Sequence, residues 1–454
     1  MRYQITALLA GLMLATGVTA GPKPNELDRL RDGGDLTPMG SERAGNAAGT
    51  IPAWTGGIQA SEIPAGFEAG DHHPDPFPND EILFKITGQN YQDYSDNLTP
   101  GQMAMFARYP DTYFMNVYPS RRTASFPEPV YETTIQNGGI ATTINGGEGL
   151  KDATLGFPFP FPETAKELLW NHRLKYKGTG GARWNNQAVV TAGGSYNVVE
   201  LREELLGLYY HEGETIESIK NILLYFFQEV EAPARLAGTI LLVHETLNQV
   251  EQPRQAWVYN PGQRRVRRAP NIAYDNPGTA SDNLRTTDMT DMFNGDTSRF
   301  DYGSIVKREL LVPYNSYKVH SDDLKYKDLV EKGHLNQDLM RYELHRVWVV
   351  NATVKEGQRH INSRRTYYLD EDSYQPLLAD HYDSRQEIWR LSEGHSINYY
   401  EVPTFWTTVE VHYDLQSGRY IALGLDNQKE VNTFNEPLAA SNYTPQALRK
   451  RGRR

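Results

Sequence analysis

Gln255-Ala-Trp-Val-Tyr-Asn-Pro-Gly-Gln-Arg-Arg-Val-Arg-Arg268 reads as a β-hairpin around which the rest of the chain can be placed. Its turn is Asn260-Pro261-Gly262-Gln263. Proline presets φ at the first central position and glycine accepts the positive φ of the second, so the chain reverses here. If Asn260 pairs with Gln263, then Tyr259 opposes Arg264, Val258 opposes Arg265 and Trp257 opposes Val266, because opposed residues share a face. One face then carries Trp257, Tyr259, Arg264, Val266 and Arg268. Arginine planes beside aromatic rings suit a site with an apolar interior and a charged mouth, with Arg264 and Arg268 at the rim. A solvated hairpin with cation–π pairs fits the same residues.

Just upstream lie two strongly apolar strands, Asn221-Ile-Leu-Leu-Tyr-Phe-Phe-Gln-Glu-Val-Glu231 and Gly238-Thr-Ile-Leu-Leu-Val-His-Glu245. Side chains alternate along a strand, so Leu223, Tyr225 and Phe227 face one way and Ile222, Leu224 and Phe226 the other. Both faces are apolar, and both must therefore be covered. One face is expected to meet helices and a ligand, with Leu223, Tyr225, Phe227, Leu241 and Val243 as candidate groove residues beside Trp257 and Tyr259. The other is expected to lie under the Pro/Gly-rich N-terminal arm. A sandwich with two filled cores is the alternative.

Downstream, strands are expected over 342–354, 366–370, 375–382, 388–400, 405–413 and 419–425, separated by turn signals such as Glu356-Gly357 and Ser417-Gly418. The meander is rich in aromatics, among them Trp348 and Trp389, which join the candidate groove residues although aromatics are also ordinary strand formers. Residues 282–295 suggest a short helix or lid carrying Asp288 and Asp291. Upstream of the hairpin, helices are expected over 99–108 and 162–174 and a first hairpin over 184–204. From residue 21 to 161 the chain is dense in Pro, Gly, Asn and Asp and reads as an extended arm with short helices. The resulting division is 1–20 export signal, 21–161 arm, 162–434 curved-sheet domain and 435–454 basic tail.

The first twenty residues follow the export-signal pattern: Arg2, an apolar run from Ile5 to Val18, then Val18-Thr-Ala20 before a cut at Gly21. No later stretch approaches a bilayer-spanning length. The chain has 454 residues and no cysteine, which removes disulfides, a lipid-attachment thiol, thiol catalysis and cysteine-type metal sites. Its net charge of −11 argues against nucleic acid, since phosphate binding needs a basic field. The exception is Arg449, Lys450, Arg451, Arg453 and Arg454, read as a solvated terminus or a contact for anionic lipid heads.

Local catalytic motifs are missing. Tyr302-Gly-Ser-Ile305 is not a nucleophile elbow, and His211-Glu212 and His244-Glu245 lack the second histidine of a zinc helix. Asp71-His-His-Pro-Asp75 is the best metal-like cluster, yet adjacent histidines diverge in an extended chain and a solvated loop explains it as well. No cofactor, catalytic residue or metal ligand is nominated.

Three stretches carry a resemblance. The Trp257-x-Tyr259-x-Pro261 hairpin with its arginines, and Arg365-Thr-Tyr-Tyr-Leu-Asp-Glu-Asp-Ser-Tyr374 with Asp380-His-Tyr-Asp383 and Ile388-Trp389, resemble the LolA/LolB-like lipoprotein-sorting superfamily. Leu36-Thr-Pro-Met-Gly40, Ala44-Gly-Asn46 and Gly49-Thr-Ile-Pro-Ala-Trp-Thr-Gly-Gly57 resemble the start of the family called domain of unknown function 1329. The resemblance implies a mainly β (α+β) fold: a large curved antiparallel sheet, an incomplete barrel with helices on its concave face. It further implies a periplasmic carrier for a lipid or other hydrophobic molecule. The donor it suggests is an inner-membrane exporter of the resistance-nodulation-division type, and the acceptor an outer-membrane partner. A sensor or scaffold of the same fold that binds a protein, and a lipid- or glycan-acting hydrolase, stay open beside it.

Overall fold

The computed structural model describes residues 24–269 and 274–452. The export signal, its cut near Ala20 and the last two arginines lie outside the described residues. The N-terminal segment contributes β1 Phe84–Thr87 and β2 Phe114–Val117, while β3 Thr142–Ile144 and β4 Gly149–Lys151 form a separate hairpin. There follow β5 Gly180–Trp184, β6 Gln187–Val190, β7 Tyr196–Gly207, β8 Ile222–Ala232, β9 Ile240–Thr246, β10 Gln255–Asn260 and β11 Arg265–Arg268. After β12 Phe300–Tyr302 and β13 Val306–Pro313 comes the meander of β14 Tyr342–Val354, β15 Arg364–Asp370, β16 Pro376–Tyr382, β17 Ile388–Tyr399, β18 Thr404–Asp414 and β19 Arg419–Leu423.

Seventeen of these strands form one sheet. It runs antiparallel from β11 through β10, β9 and β8 to β7, which pairs with both β5 and β6. From β6 it passes to β19 and back through β18, β17, β16 and β15 to β14, along which β13 and β12 lie. One parallel pair, Val117 with Tyr342, attaches β2, and β1 pairs with β2. The sheet is thus mixed, through that one pair, and does not close into a barrel. Bulges at Tyr368/Leu369, His381/Tyr382 and His395/Ser396 add local twist and bend to the meander.

Seven helices are described: α1 Pro24–Leu27, α2 Pro100–Arg108, α3 Glu128–Ile140, α4 Ala165–Arg173, α5 Tyr317–His320, α6 Tyr326–Leu329 and α7 Pro445–Arg451. None is long and apolar enough to cross a membrane. Helix α4 starts three residues after Pro162 because Thr164 closes a capping box with Glu167. Helix α3 is not expected from its composition, with Pro129, Gly138 and Gly139 in the run. It forms because Val130, Thr134 and Asn137 fall on one buried face, and the Asn137 amide bonds the backbone of Thr154 in both directions, at 2.8 and 3.1 Å. At α2, Asp380 accepts from the Gly101 amide and the Thr99 hydroxyl, and burial pushes its carboxyl up to about 7.

The organising hairpin forms, but its register differs from the expected one. Asn260 pairs with Arg265, Tyr259 with Val266, Val258 with Arg267 and Trp257 with Arg268. The Asn260 side chain accepts from the Gln263 amide at 3.1 Å and Arg264 takes φ +51°, so four residues make the loop instead of two. The shift is two residues, which preserves the faces. Trp257, Tyr259, Val266 and Arg268 still share one face, and Arg264 drops out of the strand into an exposed turn.

That face is not the inside of a groove. It joins Ile240 and Leu242 of β9, Phe227 of β8 and Leu206 of β7 in an apolar cluster covered by Tyr443 and Leu448. The face expected to hold a ligand is therefore packed under the C-terminal segment, and the face of Leu224 and Phe226, expected to lie under the Pro/Gly arm, is left open. Arg451, read as part of a solvated tail, reaches the Glu204 carboxylate with two bonds of 3.0 and 3.1 Å. Gly452 packs so tightly that a Cβ there would lie 2.3 Å from the Tyr259 ring.

Candidate functional site

The opposite face of β7, β8 and β9 is where the sheet leaves space. Leu205, Leu224, Phe226, Leu241 and Val243 stand on it, with Leu223 at the bulge between Ile222 and Leu224. Across from them run residues 278–294, and Arg183, Trp406, Glu410 and Leu423 complete the walls. The cleft opens to solvent at its mouth and has a cavity volume of about 140 Å³. One wall is apolar, while the others carry buried charges.

Those charges are mostly paired. Arg183 Nε meets Glu203 at 2.7 Å, and Glu203 also accepts from the Asn185 and Gln228 amides at 3.0 and 2.6 Å. Arg173 and Arg254 converge on Glu245 at 3.3 and 2.6 Å. Asp291 binds Lys177 at 2.6 Å and accepts from Trp406 Nε1 at 2.8 Å, while Arg183 stacks 4.6 Å from the centre of the Trp406 ring. Burial opposes the charge on Asp291, but Lys177, Lys175 and His172 hold it well below the usual carboxylate range. His172, behind this pair, is pushed down to about 3 by burial, and Lys175 down to about 7 for the same reason. Glu410 goes the other way: burial, then the neighbouring Asp291, raises it to about 7. It accepts from the Met292 amide at 3.1 Å.

The 278–294 segment is fastened to the sheet by more than Asp291. Asp288 takes Arg365 at 2.8 Å and His360 at 2.9 Å, all three buried, and Arg390 donates to the Asn283 carbonyl at 2.8 Å. Asp288 and Asp291 are expected on a short helix or lid. They serve instead as buried anchors, and the segment holds only one short helical turn, Thr287–Met289. Among the described residues no group of three or more histidines, aspartates or glutamates is placed to hold a metal. His73, from the metal-like cluster, is buried, with one ring nitrogen 2.8 Å from Glu401 and the other 3.2 Å from His320.

Of the candidate groove residues, Leu223, Leu241 and Val243 line the cleft. Tyr225 and Phe227 do not. Tyr225 stacks on Tyr443 and Phe227 lies beneath Arg451, both on the far side of β8. Trp257 packs against His244 on that same far side, next to Tyr259. Trp348 lies under the Lys307 ammonium, and Trp389 donates to Asp414 at 3.1 Å beneath Arg390, both outside the cleft. Arg264 and Arg268 are exposed on the hairpin and line no part of it. The tryptophan in the cleft is Trp406, which no local pattern distinguished from its neighbours. Leu224 and Phe226 were legible as the alternate face of their strand. Arg183, Glu203 and Glu410 carry no sequence signal, since their partners come from other strands and loops, and nothing local marks Arg285.

A serine–histidine set exists elsewhere: Ser392 Oγ lies 2.7 Å from His412 Nδ1 and 3.0 Å from His381 Nε2. All three are fully buried and none lines the cleft.

The Tyr259→Ala variant separates the two faces. Removing a ring that is 1% exposed is expected to cost about 3 kcal/mol and to release α7, seen as faster amide exchange over 445–451. Amide exchange over 278–294, across the cleft on the opposite face, should not change.

The open mixed sheet thus carries a cleft that is apolar on one wall and charged on the others. The chain belongs to the DUF1329 family, described as protein of unknown function, whose profile matches residues 85–449. An uncharacterized protein of Pseudomonas aeruginosa is 46% identical over 448 residues, 98% of each chain. Among solved structures, a putative outer-membrane lipoprotein-sorting protein domain from Vibrio parahaemolyticus is similar over 62% of this chain and 97% of its own, at 13% identity and TM-score 0.42. A DUF1329 protein from Desulfovibrio piger gives 16% identity and TM-score 0.42 over 62% and 96%. A LolA-superfamily protein from Nitrosomonas europaea gives 11% and 0.37 over 62% and 98%.

Proposed function

We propose that the protein is a periplasmic carrier that holds the hydrocarbon part of an amphiphilic molecule in this cleft. The observation that carries the reading is the wall of Leu205, Leu224, Phe226, Leu241 and Val243, which borders open space instead of a packed core. Apolar surface arranged this way in a concave site is where a hydrophobic ligand gains most. An acyl chain exposed to water costs about 0.8 kcal/mol per methylene, so a long chain needs such a wall to cross an aqueous compartment. The export-type N-terminus supports the compartment. Hand-over from an inner-membrane exporter of the resistance-nodulation-division type to an outer-membrane acceptor is the finer form of this proposal, supported by the family resemblance of the motifs.

Native mass spectrometry of the mature protein, purified without detergent and extracted for lipid, tests it. A stoichiometric lipid-sized adduct is expected in the wild type, and at least about tenfold less of it in Leu224→Trp, which fills the cleft. A wild-type protein that stays free of adduct after incubation with total membrane lipid would refute the carrier.

A further inference from the structure

Five basic residues besides His172 line the cleft, and they do not stand in equivalent positions. Arg173 and Arg254 share Glu245, Arg183 has Glu203, and Lys177 has Asp291. Arg285 differs. It is 5% exposed, and among the described residues no carboxylate lies within ion-pair distance of it. One of its N–H groups reaches the Thr290 hydroxyl at 3.1 Å, and its buried Nε has no hydrogen-bond partner. A buried guanidinium normally finds a carboxylate or a full set of acceptors, because leaving its donors unmade costs the desolvation of the charge. Here the planar group rests against Gly278, where a Cβ would lie 2.8 Å from its Cζ, so the guanidinium occupies the place of a side chain at 278.

From this geometry we infer that Arg285 is the head-group subsite of the cleft and that the cargo is an amphiphile with an anionic head, a carboxylate or a phosphate. This deepens the carrier reading and rests on it. The apolar wall takes the tail, and the arginine, with its fixed fork of donors, takes the head in the bidentate manner that planar oxyanions allow. The carboxylates that act on Arg285 are those of Glu410 and Glu203. Glu203 is already neutralised by Arg183, and Glu410, raised to about 7 by burial and Asp291, is within reach of a proton at neutral pH. Neither then repels an incoming anion strongly, and a protonated Glu410 adds a donor.

Equilibrium binding by displacement of a fluorescent fatty acid tests the assignment with four competitors: hexadecanoic acid, hexadecyl phosphate, 1-hexadecanol and inorganic phosphate. The two anionic amphiphiles are expected to bind at least about tenfold tighter than the alcohol, as one charge-assisted bond to a buried group provides. Inorganic phosphate, having no tail, should not compete. Arg285→Gln should reduce the acid to the affinity of the alcohol while leaving the alcohol unchanged. Gly278→Ala, which pushes the guanidinium aside without removing it, should do the same and serves if Arg285→Gln does not fold. Equal binding of acid and alcohol to the wild type would overturn the head-group assignment and leave the carrier standing. Equal weakening of both by Arg285→Gln would do likewise, and failure of every amphiphile to bind would overturn both.

Discussion

Replacing Arg122 by Met is expected to lower unfolding free energy at pH 7 by about 3–5 kcal/mol, the cost of breaking one side of a buried ion pair. Arg122 grips Asp372 with two bonds of 2.8 and 2.6 Å, both residues under 10% exposed. The same guanidinium donates to the carbonyls of Glu42, Arg43 and Pro52. It therefore ties the N-terminal segment to the end of β15. Without it Asp372 is a buried charge next to Asp370, whose own carboxyl burial and Asp372 push up to about 7. The effect should depend on pH in a definite sense. Burial opposes the charge on Asp372, but Arg122 more than offsets that and holds its carboxyl below the ordinary value. Its contribution is present above the unfolded aspartate pKa and is lost as pH falls toward the lower folded one. Denaturant melts at pH 7 and pH 4 should thus show a wide gap between variant and wild type at the first and a narrower one at the second. A constant gap would mean that packing, not the charge pair, holds the segment.

Asp291→Asn is expected to cost a similar 3–5 kcal/mol and, alone of the two, to change the cleft. The substitution suits the backbone, because residue 291 has φ +53° and asparagine tolerates that region well. What is lost is the counter-charge of Lys177, whose side chain is 8% exposed, and with it the fastening of the 278–294 segment. Amide exchange across 286–294 should accelerate, and a bound amphiphile should dissociate at least about tenfold faster as local opening becomes cheaper. Glu410 should titrate lower, since Asp291 is one of the two causes that raise it. Stopped-flow release of a fluorescent fatty acid and NMR titration of Glu410 measure both. Unaltered release with a destabilised fold would assign Asp291 to the core and not to gating.

The sequence by itself determined the strand content, the meander from residue 342 onward, helix α2 and the two-sided apolar character of β8 and β9. These are period-two patterns, caps and turns, which act over a few residues and are written locally. It also determined that both faces of β8 must be covered. Which cover lies on which face was decided by tertiary structure alone. The faces of β8 and β9 are equally apolar, so no local preference tells the cleft from the interior under α7, and Tyr225, Phe227, Trp257 and Tyr259 fell on the packed side. The polar half of the cleft was illegible for a related reason. Arg183 and Glu203 are 20 residues apart in the chain, whereas Trp406 and Asp291 are 115 apart, and only the folded sheet brings such charges together with Arg285. Burial, which sets the energy of each of those groups, is a property of the whole fold and of no single stretch of it.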